Sequence, residues 1–149
     1  MASLSLQSLL KQSLRSPALI LLLLFNHLSH LSMADVGTAA KYDPPYTPTA
    51  CYGTDPSQFP TNNLFAAAGE GIWDNGAACG RQYLVGCIST AAPASCVNGQ
   101  TIRVKIVDRA QSSVSRSSRD GATIVLSTTA FNAVVSGNPP IINIEFQQV

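Results

Sequence analysis

Four cysteines, two histidines and a scatter of carboxylates are the residues in this chain that could do chemistry. Cys51, Cys79, Cys87 and Cys96 are separated by 28, 8 and 9 positions, with no C-x-x-C pair of the kind that grips zinc. An even set of four in an exported chain points instead to two disulfides, and the spacing leaves all three pairings open. His27 and His30 are the only imidazoles, and both lie in a segment predicted to be cut away. Ser-His-Asp, Cys-His and histidine-zinc chemistry are thereby excluded from the mature chain. No metal cluster and no phosphate-cradling glycine loop is present, so no cofactor is expected.

That removable segment is residues 1–34. Lys11 and Arg15 precede the apolar run from Pro17 to Phe25, and Ser32-Met33-Ala34 offers a small-x-small exit. The pattern is a secretory signal peptide cleaved after Ala34, with a run too short to span a bilayer. Cleavage removes two of the nine basic residues and none of the eight acidic ones, leaving 115 residues with a formal charge of −1. A nucleic-acid binder would be basic, so that class is excluded, and no insertion into a membrane is expected after cleavage. The exported chain has no Asn-x-Ser/Thr triplet and no retention signal at its end, which implies release to the extracellular space. With 11% charged residues it is no disordered tail; a small monomer stapled by disulfides is expected.

The elements that must position any site are short. Gly37–Tyr42 reads as a first strand, broken by the prolines of 43–48, and residues 53–63 as loop. Leu64–Ala68 fits either a helical turn or a buried strand. Arg81–Cys87 is extended, with Tyr83, Val85 and Cys87 on one parity. Thr101–Val107 and Ile142–Gln147 alternate apolar and polar residues, as a half-buried strand does. Thr123–Leu126 is a short buried strand. Ser127 is placed to cap a helix running to about Val135, with Gly137 and Pro139-Pro140 as its stop. The sum is a small, mostly β barrel. Arg109–Arg119, with three arginines and five serines, reads as a solvated loop, the alternative being a basic contact for an acidic polymer such as pectin.

Ala50-Cys51-Tyr52-Gly53, Trp73-Asp74-Asn75-Gly76-Ala77-Ala78-Cys79-Gly80, Val107-Asp108-Arg109 and Ile124-Val125-Leu126-Ser127-Thr128-Thr129-Ala130-Phe131 together give the chain its likeness. It resembles the plant endoglucanase-45-like domain proteins, a group that includes the plant natriuretic peptides and the citrus blight-associated protein. The resemblance runs from about Gly37 to Val149. It implies a six-stranded double-psi β-barrel like the first domain of expansins, with one or two short helices. It also implies that Cys51 pairs with Cys79 and Cys87 with Cys96; a further expansin cysteine would fall at Gln82.

Hydrolases of this lineage use two carboxyl groups roughly 6.5 to 9.5 Å apart, one as acid and one as base. Their acid lies in a His-Phe-Asp-Leu-Ser motif, matched here by Thr123-Ile124-Val125-Leu126-Ser127, so Val125 stands where the acid would be. Their base lies two residues after a tyrosine, whereas here Asp43 follows Tyr42 directly, and one step along an extended segment turns a side chain to the opposite face. Ala40 replaces a groove-lining threonine. Endoglucanase activity is therefore not expected. Val107-Asp108-Arg109 resembles a motif of barrel-type lytic transglycosylases whose aspartate lies in the active cleft. The favoured role for Asp108 is structural, holding turn amides or pairing with Arg109 or another basic residue. Trp73 is expected to pack in the core or at the barrel edge, the alternative being a sugar platform. Tyr42, Tyr46 and Tyr52 are further candidates for a polysaccharide surface, and Tyr83 a groove or structural residue. The implied function is a secreted, non-catalytic extracellular signal affecting water and ion balance through a plasma-membrane receptor. Its activity would reside in about Asp35–Leu64. The alternative is a module that binds or modifies cell-wall polysaccharide. No second, carbohydrate-binding domain of the expansin kind is expected after Val149.

Overall fold

In the computed structural model, residues 33–110 and 121–149 are described, together with Pro17 and Leu21. The chain divides into Met1–Met33 and Ala34–Val149; the fold below is that of the second unit. Most of the expected signal segment, and residues 111–120 of the serine-rich stretch, lie outside the described residues.

Alternation of apolar and polar residues builds the longest strands. In β5 (Thr101–Arg109) Ile102, Val104 and Ile106 are buried while Thr101 and Arg103 face water, and β8 (Ile142–Gln148) repeats the pattern with Ile142, Ile144 and Phe146. These join β1 (Asp35–Tyr42), β2 (Phe65–Ala68), β3 (Gln82–Ser89) and β6 (Ile124–Ser127) in a closed barrel of order β1-β6-β2-β5-β3-β8. The β1–β6 and β2–β5 pairs are parallel and the rest antiparallel. This is the double-psi β-barrel that the resemblance implies. Of Leu64–Ala68, the last four residues settle as strand, and they escaped the alternation signal because all four residues of β2, like all four of β6, are buried.

Double burial follows from two apolar layers. The barrel interior holds Ala39, Ala66, Val85, Val104, Ile106, Leu126, Ile144 and their neighbours. On the outer face of β1, β6, β2 and β5 lies a second cluster of Ala40, Tyr42, Phe65, Ala67, Val107, Ala110, Ala122 and Val125. A bulge feeds it: Ala66 pairs with Ile106 but Ala67 with Asp108, so Val107 is the extra residue and joins the outer layer.

After α1 (Glu70–Trp73) and a 3-10 turn at Asp74–Gly76 comes β3; the two-stranded ribbon of β4 (Ser95–Cys96) and β7 (Val135–Ser136) is tied to β3 by Cys87–Cys96. Ser127 caps α2 (Thr128–Val134), its hydroxyl accepting the Ala130 amide at 3.2 Å. The helix ends at Val134, in keeping with the expected end at about Val135, but Gly137 is not its terminator. Val135 turns extended and pairs with Cys96 instead, a conformation that suits its branched side chain. Gly137 then passes close to Ala94 with φ +96, a place for glycine. No helix among the described residues is long and apolar enough to cross a membrane.

Candidate functional site

The positions that the resemblance assigns to the hydrolase groove fall in the outer apolar layer. Ala40 and Val125 are register partners across the parallel β1–β6 pair, as are Tyr42 and Ser127. Both halves of the altered site thus come together, and both are hydrocarbon with no exposed surface. Tyr42 was a candidate surface aromatic and is not one: it is buried, because the following segment folds back over it. Burial first, and then the Asp108 charge and Tyr46, push its phenol well above the ordinary value. Asp43 points elsewhere, into solvent, where its carboxylate accepts the Thr128 hydroxyl at 2.8 Å and lies 3.8 Å from the Lys41 ammonium.

Residues 43–63 form the strap that closes this layer. Tyr46 stacks edge-on against Tyr42 and Phe65, with centroids 5.0 and 4.7 Å apart, and Phe59 lies 4.7 Å from Phe65. Tyr46 also exchanges hydrogen bonds with Thr128. Lys105 donates to the Gln58 carbonyl at 2.8 Å and lies 5.3 Å above the Tyr52 ring. The Cys51–Cys79 disulfide fixes the strap's middle to the turn before β3. Asp108, fully buried, fastens it from below: one carboxylate oxygen accepts the amides of Ala50 and Arg109, each at 2.7 Å. Ion pairing of Asp108 with Arg109 is not what the structure has; the Arg109 guanidinium reaches Glu70 instead.

Glu70 is reached because of topology. Gly69 follows β2 where a side chain would collide with the Ala122 carbonyl oxygen, so only glycine lets α1 start there. The register Ala68–Arg109 then sets Glu70, two residues on, beside the end of β5. Arg109 forks onto it, Nε to Oε1 at 2.8 Å and Nη2 to Oε2 at 2.9 Å. Asp74 and Asn75 both have φ near +50, a left-handed pair that swings the chain around and aims Asp74 at Arg81. Their N···O distance is 2.6 Å, and this bond, first among its causes, raises the guanidinium's affinity for its proton.

Between these two pairs lies an open cleft of about 530 Å³ lined by Glu70, Trp73, Asp74, Arg81, Tyr83 and Arg109 among others. Trp73 is half-buried against the interior core, with the Arg109 guanidinium 5.6 Å from its ring. Tyr83 is buried, 6.0 Å from the Phe146 ring, and forms part of the cleft wall. An indole rimmed by carboxylates and guanidiniums can stack a pyranose ring and bind its hydroxyls. Among the described residues no cluster could hold a metal ion.

Of the sequence-predicted candidates, the cleft collects Trp73, Tyr83 and Arg109, the closed layer collects Tyr42 and Asp108, and Asp43 belongs to neither. The four cysteines sit in two bridges, 51–79 and 87–96. Sequence reasoning missed Glu70, Arg81 and Asp74 as site residues. Arg81 and Asp74 are only seven apart and opposite in charge, a readable signal; Glu70 and Arg109 are 39 apart and only the β2–β5 register unites them.

A family model described as "Lytic transglycolase" matches residues 66–146. The chain is 36% identical over 116 residues to EG45-like domain containing protein 2 of Arabidopsis thaliana, covering 75% of this chain and 85% of that one. It is 36% identical over 124 residues to the EG45-like domain containing protein of Citrus jambhiri, covering 81% and 86%. Among solved structures, the apo expansin of Clavibacter michiganensis superposes with a TM-score of 0.55 at 22% identity, and a mutant of that expansin in complex with cellohexaose with 0.57 at 21%. Each covers 78% of this chain, which spans only half the length of the expansin; at that identity the likeness is one of fold. Barrel order, disulfides and relatives agree, and the chain belongs to the family of EG45-like domain containing proteins.

Proposed function

We propose that this chain is an exported, non-hydrolytic barrel of the plant cell wall that binds a wall polysaccharide in the cleft around Trp73. The observation that carries the reading is the contrast between the two places a sugar could go. The face where related hydrolases keep their acid is a layer of buried hydrocarbon under a fastened strap. The open face has a half-buried indole between two ion pairs. The expansin neighbour solved with cellohexaose supports a glycan as ligand. Export is supported by β1 beginning at Asp35, directly after the predicted cleavage site at Ala34. Retention of the oxidised protein on isolated walls and insoluble cellulose, reduced by Trp73→Ala with an unchanged fold, is the expected result. Equal retention of that variant overturns the assignment of the site.

The signalling role implied by the family resemblance has a different foothold. Within Asp35–Leu64 the strap holds Gly53–Gln58 exposed on a braced frame, a surface suited to a receptor. Protoplasts lack walls, so saturable binding to them with concentration-dependent swelling would favour this reading. Retention on walls with no protoplast response would reject it.

A further inference from the structure

The cleft has two guanidiniums, and an anionic sugar such as a galacturonate would be their natural partner if they faced outward. They do not. The Glu70 and Asp74 side chains are each 61% exposed, while Arg109 and Arg81 behind them are 38% and 28% exposed. Arg109 is tied by a two-point fork to Glu70 and lies against Trp73; Arg81 is tied to Asp74 at 2.6 Å. Among the described residues that line the cleft, two positive and two negative groups balance, and the negative ones are the more exposed. A uronate carboxylate approaching the indole meets the more exposed Glu70 and Asp74, and gains Arg81 or Arg109 only by breaking an existing pair. A neutral sugar meets no such penalty, since its hydroxyls donate to the outward carboxylate oxygens while its ring lies on Trp73.

We propose that Glu70 and Asp74 are specificity-determining residues that make the Trp73 cleft a site for uncharged glycans and turn away polyuronates. The inference rests on the cleft being the glycan site. It assigns the carboxylates a second task beyond ordering the arginines: they keep the guanidiniums occupied, so that charge attraction to acidic wall polymers does not compete with stacking.

The test is calorimetric titration of the full, oxidised protein with cellohexaose and with hexagalacturonate, for wild type and for the double variant Glu70→Gln with Asp74→Asn. Both substituted residues are exposed, and thermal unfolding confirms that the variant folds. Wild type is expected to bind cellohexaose and to bind hexagalacturonate at least tenfold more weakly, on the order expected for like-charge juxtaposition. Freed of its carboxylates, the variant is expected to gain on the order of tenfold for hexagalacturonate, an increment abolished by raised salt and by adding Arg109→Gln. Wild-type binding of hexagalacturonate as tight as that of cellohexaose overturns the inference while leaving the cleft as the site. So does a correctly folded double variant with no gain. Wild type binding neither sugar overturns the underlying reading, and the inference with it.

Discussion

Asp108 and Arg109 are consecutive residues at the end of β5, and they serve opposite regions of the molecule. The Asp108 carboxylate turns inward to two backbone amides beneath a strap closed over hydrocarbon. The Arg109 guanidinium turns outward to an exposed carboxylate at the edge of an open cleft. Both regions draw on β5, the closed one together with β1, β2 and β6 and the open one together with β3 and the turn that follows β2. The closed one is braced by a disulfide, stacked rings and a buried carboxylate; the open one has surface ion pairs, which add little to stability and leave their groups able to meet a ligand. The difference teaches that one barrel can close a face completely by packing while an adjoining turn stays open with groups suited to recognition.

The contrast is broken most severely from the closed side. Val125→Asp places a carboxyl where the resemblance sets the acid of the related hydrolases, but within a fully buried apolar layer. Urea unfolding is expected to show a loss of about 4 kcal/mol, with no hydrolytic product from soluble glucan, because the new group is desolvated and unpaired. A stable, active variant would show that the layer opens to substrate. Replacing Cys51 and Cys79 with serine removes the strap's brace. The sequence separations of 28 and 9 predict losses of about 3.5 kcal/mol for this bridge and about 2.7 kcal/mol for Cys87–Cys96. Equal losses would mean that the strap holds itself down without its disulfide.

Asp108→Asn keeps an acceptor and removes the charge behind two 2.7 Å hydrogen bonds. A loss of about 1.5 kcal/mol is expected, with faster hydrogen exchange at the Ala50 amide and unchanged glycan retention, since the cleft is elsewhere. The smallest effect is alkaline. The Tyr42 phenol is raised above 10.0 in the folded chain, so below that pH it is protonated in both states and its contribution is complete. Above it the unfolded phenol ionises first, and stability falls as pH rises toward the folded value. Tyr42→Phe is expected to flatten that decline by up to about 1 kcal/mol per pH unit, read from unfolding curves at pH 9 to 11.

Much of the barrel was legible because β5 and β8 expose one face, so their residues alternate. β2 was ambiguous for the opposite reason: Phe65–Ala68 is buried on both sides by layers contributed from distant segments. Tyr42 looked like a surface aromatic because proline-rich segments usually run over the outside; here the segment, with the half-buried Tyr46, is itself the cover. What ends α2 was not legible: the stop is set not by Gly137 but by Val135, whose partner Cys96 lies 39 residues upstream. Trp73 and Arg109 could be singled out by type, but the carboxylate that orients Arg109 depends on a strand register that no local pattern encodes. The absence of an acid at Val125 was visible in the residue itself; its closure from solvent was not.

Trp73 is the chain's only tryptophan, so its fluorescence reports on the open cleft without labelling. Titrating the oxidised protein with cellohexaose while following indole emission, alongside calorimetry, tests directly whether recognition belongs to this cleft. A saturable change in emission whose midpoint matches the calorimetric one, retained in Asp108→Asn, is the predicted result. Calorimetric binding with unchanged emission, or binding lost in Asp108→Asn while its cleft remains folded, would contradict it.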